Sequence, residues 1–151
     1  MSCILTISGK NFDVDAFIGA TKLRPYRKSY KGNLKFKNKP DGEKLSFSSI
    51  SFETSKANFD NLKKQIEDTI RFLKRNKYKL LHITFTKGID HAILNFGIDL
   101  RIDRKNIFIQ SDIFPTLLLK LAGEVSLDIE LSIYPNDLET ILKKRYRKTK
   151  N

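Results

Sequence analysis

With 151 residues, a formal charge of +12, one cysteine and no tryptophan, the chain is long enough to bury a real core in one domain and cannot form an internal disulfide. No apolar run reaches the length of a membrane span, and the N-terminus lacks a basic region leading into an apolar signal segment. The expectation is therefore one cytoplasmic domain over 1–151, its last residues 143–151 a basic tail, with no membrane partner. Taken bare, such a charge points to nucleic acid or an anionic membrane, yet Lys outnumbers Arg by 21 to 8, a ratio that AT-rich coding also produces.

Residues 3–8 read as a short apolar strand ended by Gly9, with Cys3 as a buried, inert thiol. Asp13 is placed to cap a short helix, with Phe12 and Phe17 in the positions of a hydrophobic staple. Val14, Phe17 and Ile18 would face inward, and the helix should end before Pro25. From 22 to 44 the composition changes: nine Lys or Arg residues face only Asp41 and Glu43, with Tyr26, Tyr30 and Phe36 interleaved. Leu34 and Phe36 alternate with Lys35 and Lys37, which predicts a strand exposed on one face, and 39–42 (KPDG) predicts a turn. Leu45, Phe47, Ile50 and Phe52 follow, and their change of parity predicts a bulge at Ser48 and Ser49.

The middle of the chain, 58–76, repeats Phe59, Leu62, Ile66, Ile70 and Leu73 at spacings of three and four, while cations and acids fill the other face. That predicts one long amphipathic helix, capped by Asn58 and carrying a Glu67–Arg71 pair. Leu81, Ile83 and Phe85 then alternate with His82, Thr84 and Thr86 as a strand, and 87–90 (KGID) turns the chain. Leu94, Phe96, Ile98, Leu100 and Ile102 form the cleanest alternation, followed by a hairpin at 103–106 to Ile107 and Ile109. Ser111 or Asp112 would cap a third helix striped by Phe114, Leu117, Leu118 and Leu121 and ended by Gly123. Leu127, Ile129, Leu131 and Ile133 predict a last strand, and a terminal helix with Leu138, Ile141 and Leu142 inward runs into the basic 143–148. The order β-α-β-β-α-β-β-β-α-β-α defines an α+β two-layer sandwich: a largely antiparallel sheet of about six or seven strands, with helices mainly on one face. One β-α-β pair, through the third helix, can lie parallel within it.

Catalytic motifs are missing: there is no GxSxG, HExxH, P-loop, GxGxxG or paired CxxC, so neither an enzyme nor a cofactor is expected. His82 and His91 flank the turn at 87–90, and with Asp90 they supply the ligand types that suit zinc; two exposed strand-end histidines is the simpler reading. Asp128 and Glu130 would share one strand face, but no third ligand stands at a spacing that marks a metal-dependent nuclease. The basic tracts remain. Arg24, Tyr26, Arg27, Lys28, Tyr30, Lys35 and Lys37, with Lys144, Arg145 and Arg147 at the end, form the candidate surface for an acidic partner protein. Cations beside aromatics also hold phosphates and stack bases in single-strand binders, so nucleic acid is the alternative partner.

Residues 7–15 (ISGKNFDVD), 94–98 (LNFGI), 118–123 (LLKLAG) and 131–135 (LSIYP) resemble a family of small bacterial proteins grouped as a domain of unknown function. The resemblance spans nearly the whole chain. It implies a stand-alone bacterial cytosolic protein, of the kind encoded beside a toxin as its antidote, and it brings no catalytic residues. The basic middle, 22–44, departs from that family and argues against an antidote to a nuclease, since those present acidic surfaces. A non-enzymatic, immunity-like protein-binding domain is the expected function.

Overall fold

The computed structural model describes residues 2–36, 41–102 and 106–135. The apolar alternation at the start forms β1 (Cys3–Gly9), whose Cys3, Leu5 and Ile7 are buried. Helix α1 (Val14–Thr21) begins where its cap predicts: the Asp13 carboxylate accepts the Ala16 backbone N–H at 2.9 Å. Phe12 and Phe17 close the staple edge to face, 5.6 Å between ring centroids. The helix ends at Lys22, which adopts a left-handed conformation immediately before Leu23 enters the core.

The next strand is not where 34–37 predicts it. β2 is Arg27–Ser29, and Leu34 makes only an isolated bridge to Lys44. An edge strand with a single partner needs no apolar alternation, so Arg27–Ser29 carries no period to read. β3 (Ser48–Ser55) corrects the bulge at Ser48 and Ser49: pairing there is regular, and the shift comes opposite Cys3 and Ile4, leaving Thr54 as the extra residue. Leu45 and Phe47 precede the strand and lie toward the other face of the sheet, which accounts for the change of parity.

The long helix α2 spans Leu62–Leu80, shifted toward the C-terminus from 58–76. Its cap is Asn61 rather than Asn58, the Asn61 carboxamide oxygen accepting the Lys64 N–H at 3.0 Å. Phe59 stands before the helix, and Arg71 pairs with Asp68 instead of Glu67. The strand expected at 81–86 is absent; a short helix α3 (His82–Phe85) takes its place. Continuing the α2 stripe buries Leu73, Leu80 and Ile83 and leaves Phe85 64 % exposed, so the helical period wins over a three-residue alternation.

β4 (His91–Asp99) buries Ala92, Leu94, Phe96 and Ile98 as its alternation predicts, but it ends before Leu100 and Ile102. Ile107 and Ile109 form no strand and are exposed, while 103–105 lie outside the described residues. α4 (Thr116–Glu124) starts behind Pro115, neither Ser111 nor Asp112 caps it, and it runs past Gly123. Leu117, expected in its stripe, is exposed, and Leu118, Leu121 and Ala122 are its buried residues. β5 (Asp128–Tyr134) follows, and the terminal helix expected beyond it lies outside the described residues.

The class is α+β, built on one mixed sheet of five strands among the described residues, fewer than the six or seven expected, in the order β2-β3-β1-β4-β5. Three pairings are antiparallel; β4 and β5 are parallel through α4, as the β-α-β unit predicts. The even residues of β3 and β4, the odd residues of β1 and the inward sides of α1, α2 and α4 join one apolar core. Among the described residues no helix is long and apolar enough to cross a membrane.

Candidate functional site

Because side chains alternate along a strand, the residues between the core positions form a second face. Ile4 and Thr6 of β1, Ser49 and Ser51 of β3, Ile93 and Asn95 of β4, and Glu130 and Ser132 of β5 line it, with Tyr26, Arg27, Phe47 and Tyr134 at its rim. Together they enclose an open depression of about 590 Å³. Thr6 and Ser51 hydroxyls lie 3.1 Å apart at its centre. At the β5 side, Asn95 donates to the Glu130 carboxylate at 2.6 Å and to the Ser132 hydroxyl at 2.7 Å; Ser132 donates to the same carboxylate at 3.2 Å. The floor thus mixes polar groups that are held by one another with the apolar side chains of Ile4 and Ile93.

The basic segment divides over the two faces. Tyr26 is 46 % exposed beside the depression, with Arg27 next to it. Lys28 and Tyr30 turn the other way, toward α1: the Tyr30 hydroxyl donates to Asp15 at 2.9 Å and the Lys28 ammonium lies 3.5 Å from that carboxylate. Lys35 is tied to Glu43 at 3.0 Å, and Phe36 is exposed. Among the described residues no acid pairs with Arg24, Arg27, Lys31 or Lys44, all of which lie in β2 or the segments flanking it. Lys37, Lys144, Arg145 and Arg147 lie outside the described residues. Tyr26 and Tyr30 therefore serve different faces of the sheet.

The two histidines stand on different elements. The hairpin meant to join them is replaced by α3, where the His82 ring packs 4.7 Å from Phe85, and His91 opens β4 opposite Ser8. Asp90 accepts the Lys10 N–H at 2.8 Å and so ties two loops together. No group of three His, Cys, Asp or Glu side chains able to hold a metal occurs among the described residues. A second hollow, of about 650 Å³, lies between the start of α2 and residues 111–115, but its one arginine, Arg101, is paired with its own Asp112 at 2.5 Å.

Cys3 is fully buried, and its thiol receives a hydrogen bond from Thr69 at 3.4 Å. Burial pushes its pKa from 9.0 up to about 11 despite hydrogen bonds from Thr54 and Thr69. Between those two values the unfolded chain gives up its thiol proton while the folded chain keeps it. Stability should therefore fall as pH rises past 9, by about 3 kcal/mol in all, and level off near 11. Unfolding free energies of the wild type and Cys3→Ala at pH 8 and 10.5 check this, since lysine titration cancels in the difference. Equal pH dependence in both proteins contradicts it.

Comparison with protein-family models, with curated proteins and with solved structures finds no match to this chain.

Proposed function

We propose that the chain is a non-enzymatic protein-binding domain that docks an acidic region of a partner protein on the open sheet face, against Tyr26 and Arg27. One observation carries this reading: a sheet face without a helix over it among the described residues, its floor mixing hydroxyl, amide and carboxylate groups with two isoleucines and its rim carrying tyrosine and arginine. Tyrosine and arginine are the side chains most often found to dominate binding energy, and serine and asparagine give adaptable hydrogen bonding. The mode of action is immunity-like, a surface that covers its partner and performs no chemistry, in keeping with the family resemblance. Nucleic acid fits the same face less well, because Glu130 stands on its floor and Asp128 on its β5 edge, where a phosphate chain is repelled. The unpaired cations along the β2 edge are the observation that favours it.

Capture on the immobilised chain from nuclease-treated host lysate, followed by affinity measurement on the purified partner, tests the proposal. Arg27→Glu is expected to weaken binding about tenfold or more, and the wild-type affinity should fall with salt. Unchanged affinity for Arg27→Glu and for Tyr26→Ala overturns the assignment to this face. Recovery of single-stranded RNA alone from untreated lysate overturns it in favour of nucleic acid.

A further inference from the structure

The open face carries opposite charges at its two edges. β2 and β5 are the outermost strands, separated by four strand-to-strand steps, or roughly 19 Å at about 4.8 Å per step. The pairing register draws one transverse row across the sheet: Arg27 opposite Ser51, Ser51 opposite Thr6, Thr6 opposite Ile93, and Ile93 opposite Asp128. The row is cationic at one end, anionic at the other and uncharged between. Glu130 reinforces the anionic end, its carboxylate held by Asn95 and Ser132. No cation pairs with Asp128 or Glu130 among the described residues, and no acid with Arg27.

We infer that the partner's docking surface is itself polarised, acidic where it meets β2 and basic where it meets β5, with the two charges roughly 19 Å apart. This rests on the docking role proposed above and adds the second half of the partner's chemistry. At physiological salt the screening length is about 8 Å, so the two ends act as separate readers of charge rather than as one averaged field. A uniformly acidic surface gains at Arg27 and loses at Asp128 and Glu130; like charges set against each other cost affinity and suppress wrong partners. The same arrangement fixes orientation, since a partner docked in reverse meets like charge at both edges.

The test uses two alanine-rich helical peptides of about 20 residues, long enough at about 1.5 Å per residue to span both edges. One carries glutamates at its N-terminal end and lysines at its C-terminal end, about 13 residues apart; the other carries glutamates at both ends. The wild type is expected to bind the polarised peptide about tenfold more tightly than the all-acidic one. Glu130→Gln keeps the hydrogen bonds to Asn95 and Ser132 within reach and should shrink that preference. The Asp128→Lys/Glu130→Lys variant should invert it. Equal binding of both peptides, or no binding of either, overturns the inference. If Arg27→Glu still weakens the all-acidic peptide while the acidic edge has no effect, the docking role stands and only the polarity fails. If neither edge matters to either peptide, the docking role fails as well.

Discussion

Gly88→Ala is expected to cost about 3 kcal/mol or more of folding stability, and the size of the loss separates two causes that usually act together. Gly88 has φ +85°, in the region where a Cβ is penalised by about 1 kcal/mol. An added Cβ would also lie 2.2 Å from the Asn11 carbonyl oxygen, a backbone atom that cannot swing aside. Gly9 shares the packing problem without the dihedral one: its Cβ would sit 1.8 Å from the Gly88 oxygen. Gly32 shares the dihedral problem without the packing one, since its φ is also +85° and nothing lies within 4 Å. Gly32→Ala should therefore cost about 1 kcal/mol, Gly9→Ala about 2–3 kcal/mol by overpacking, and Gly88→Ala most. Urea unfolding of the three variants gives the ranking. The Gly9→Ala/Gly88→Ala double variant should be less destabilised than the sum, because both force the same two loops apart. If Gly88→Ala is no worse than Gly32→Ala, the close approach of 9–11 and 88–90 is not rigid. That approach also sets where Asp90 stands, since Asp90 donates its N–H to the Ser8 oxygen and takes the Lys10 N–H on its carboxylate. The structure gives Asp90 a role in loop packing.

Local rules carried the parts of this fold that are local. The Asp13 cap, the Phe12–Phe17 staple and the alternation through Leu94, Phe96 and Ile98 all depend on neighbours in sequence, and each stands where the pattern places it. The parallel β4–β5 pair was legible too, because a nine-residue helix between two strands leaves few other connections. Two periods compete at the end of α2. Leu80 to Phe85 satisfies both a strand and the continuing stripe of α2, and only the packing of Leu80 and Ile83 against the core decides between them. β2 shows no period at all, because it is an edge strand of charged and hydroxyl residues that borrows its regularity from Ser49–Ser51 across the pairing.

The face proposed for docking was half legible, for the same reason. Tyr26 and Arg27 stand out by composition within 22–44. Glu130 and Asn95 do not: they are 35 residues apart and meet only because β4 and β5 pair in one particular register. Composition also placed Lys28 and Tyr30 in the site, whereas alternation along β2 sends Lys28 toward α1 and Asp15. Charge counting finds a basic segment but not the face each cation serves.

Gln65→Ala should lower stability by about 3 kcal/mol, and Gln65→Leu by about 1–2 kcal/mol, which places a polar residue among the strongest supports of the fold. Gln65 lies in the buried stripe of α2, between Leu62 and Thr69, and its relative exposure is 0 %. Its amide nitrogen donates to the Gly97 oxygen of β4 at 2.8 Å and to the Asn58 oxygen at 3.0 Å. One side chain thus pins the start of the long helix to the strand that pairs with both β1 and β5. Gly97 is also covered from the other side: a Cβ there would meet Phe59 at 2.4 Å and Tyr134 at 3.2 Å, and those two rings pack 5.2 Å apart. The alanine variant loses both hydrogen bonds and opens a cavity; the leucine variant fills the space and loses only the bonds. The gap between the two variants measures the cavity, and the residual loss in leucine measures the bonds to Gly97 and Asn58. The Gln65 amide oxygen has no hydrogen-bond partner, so part of its burial cost is already carried by the wild type, which is why the leucine penalty is expected to stay small. Thermal unfolding of both variants decides the matter. A leucine variant as stable as the wild type would mean that packing alone holds α2 on β4.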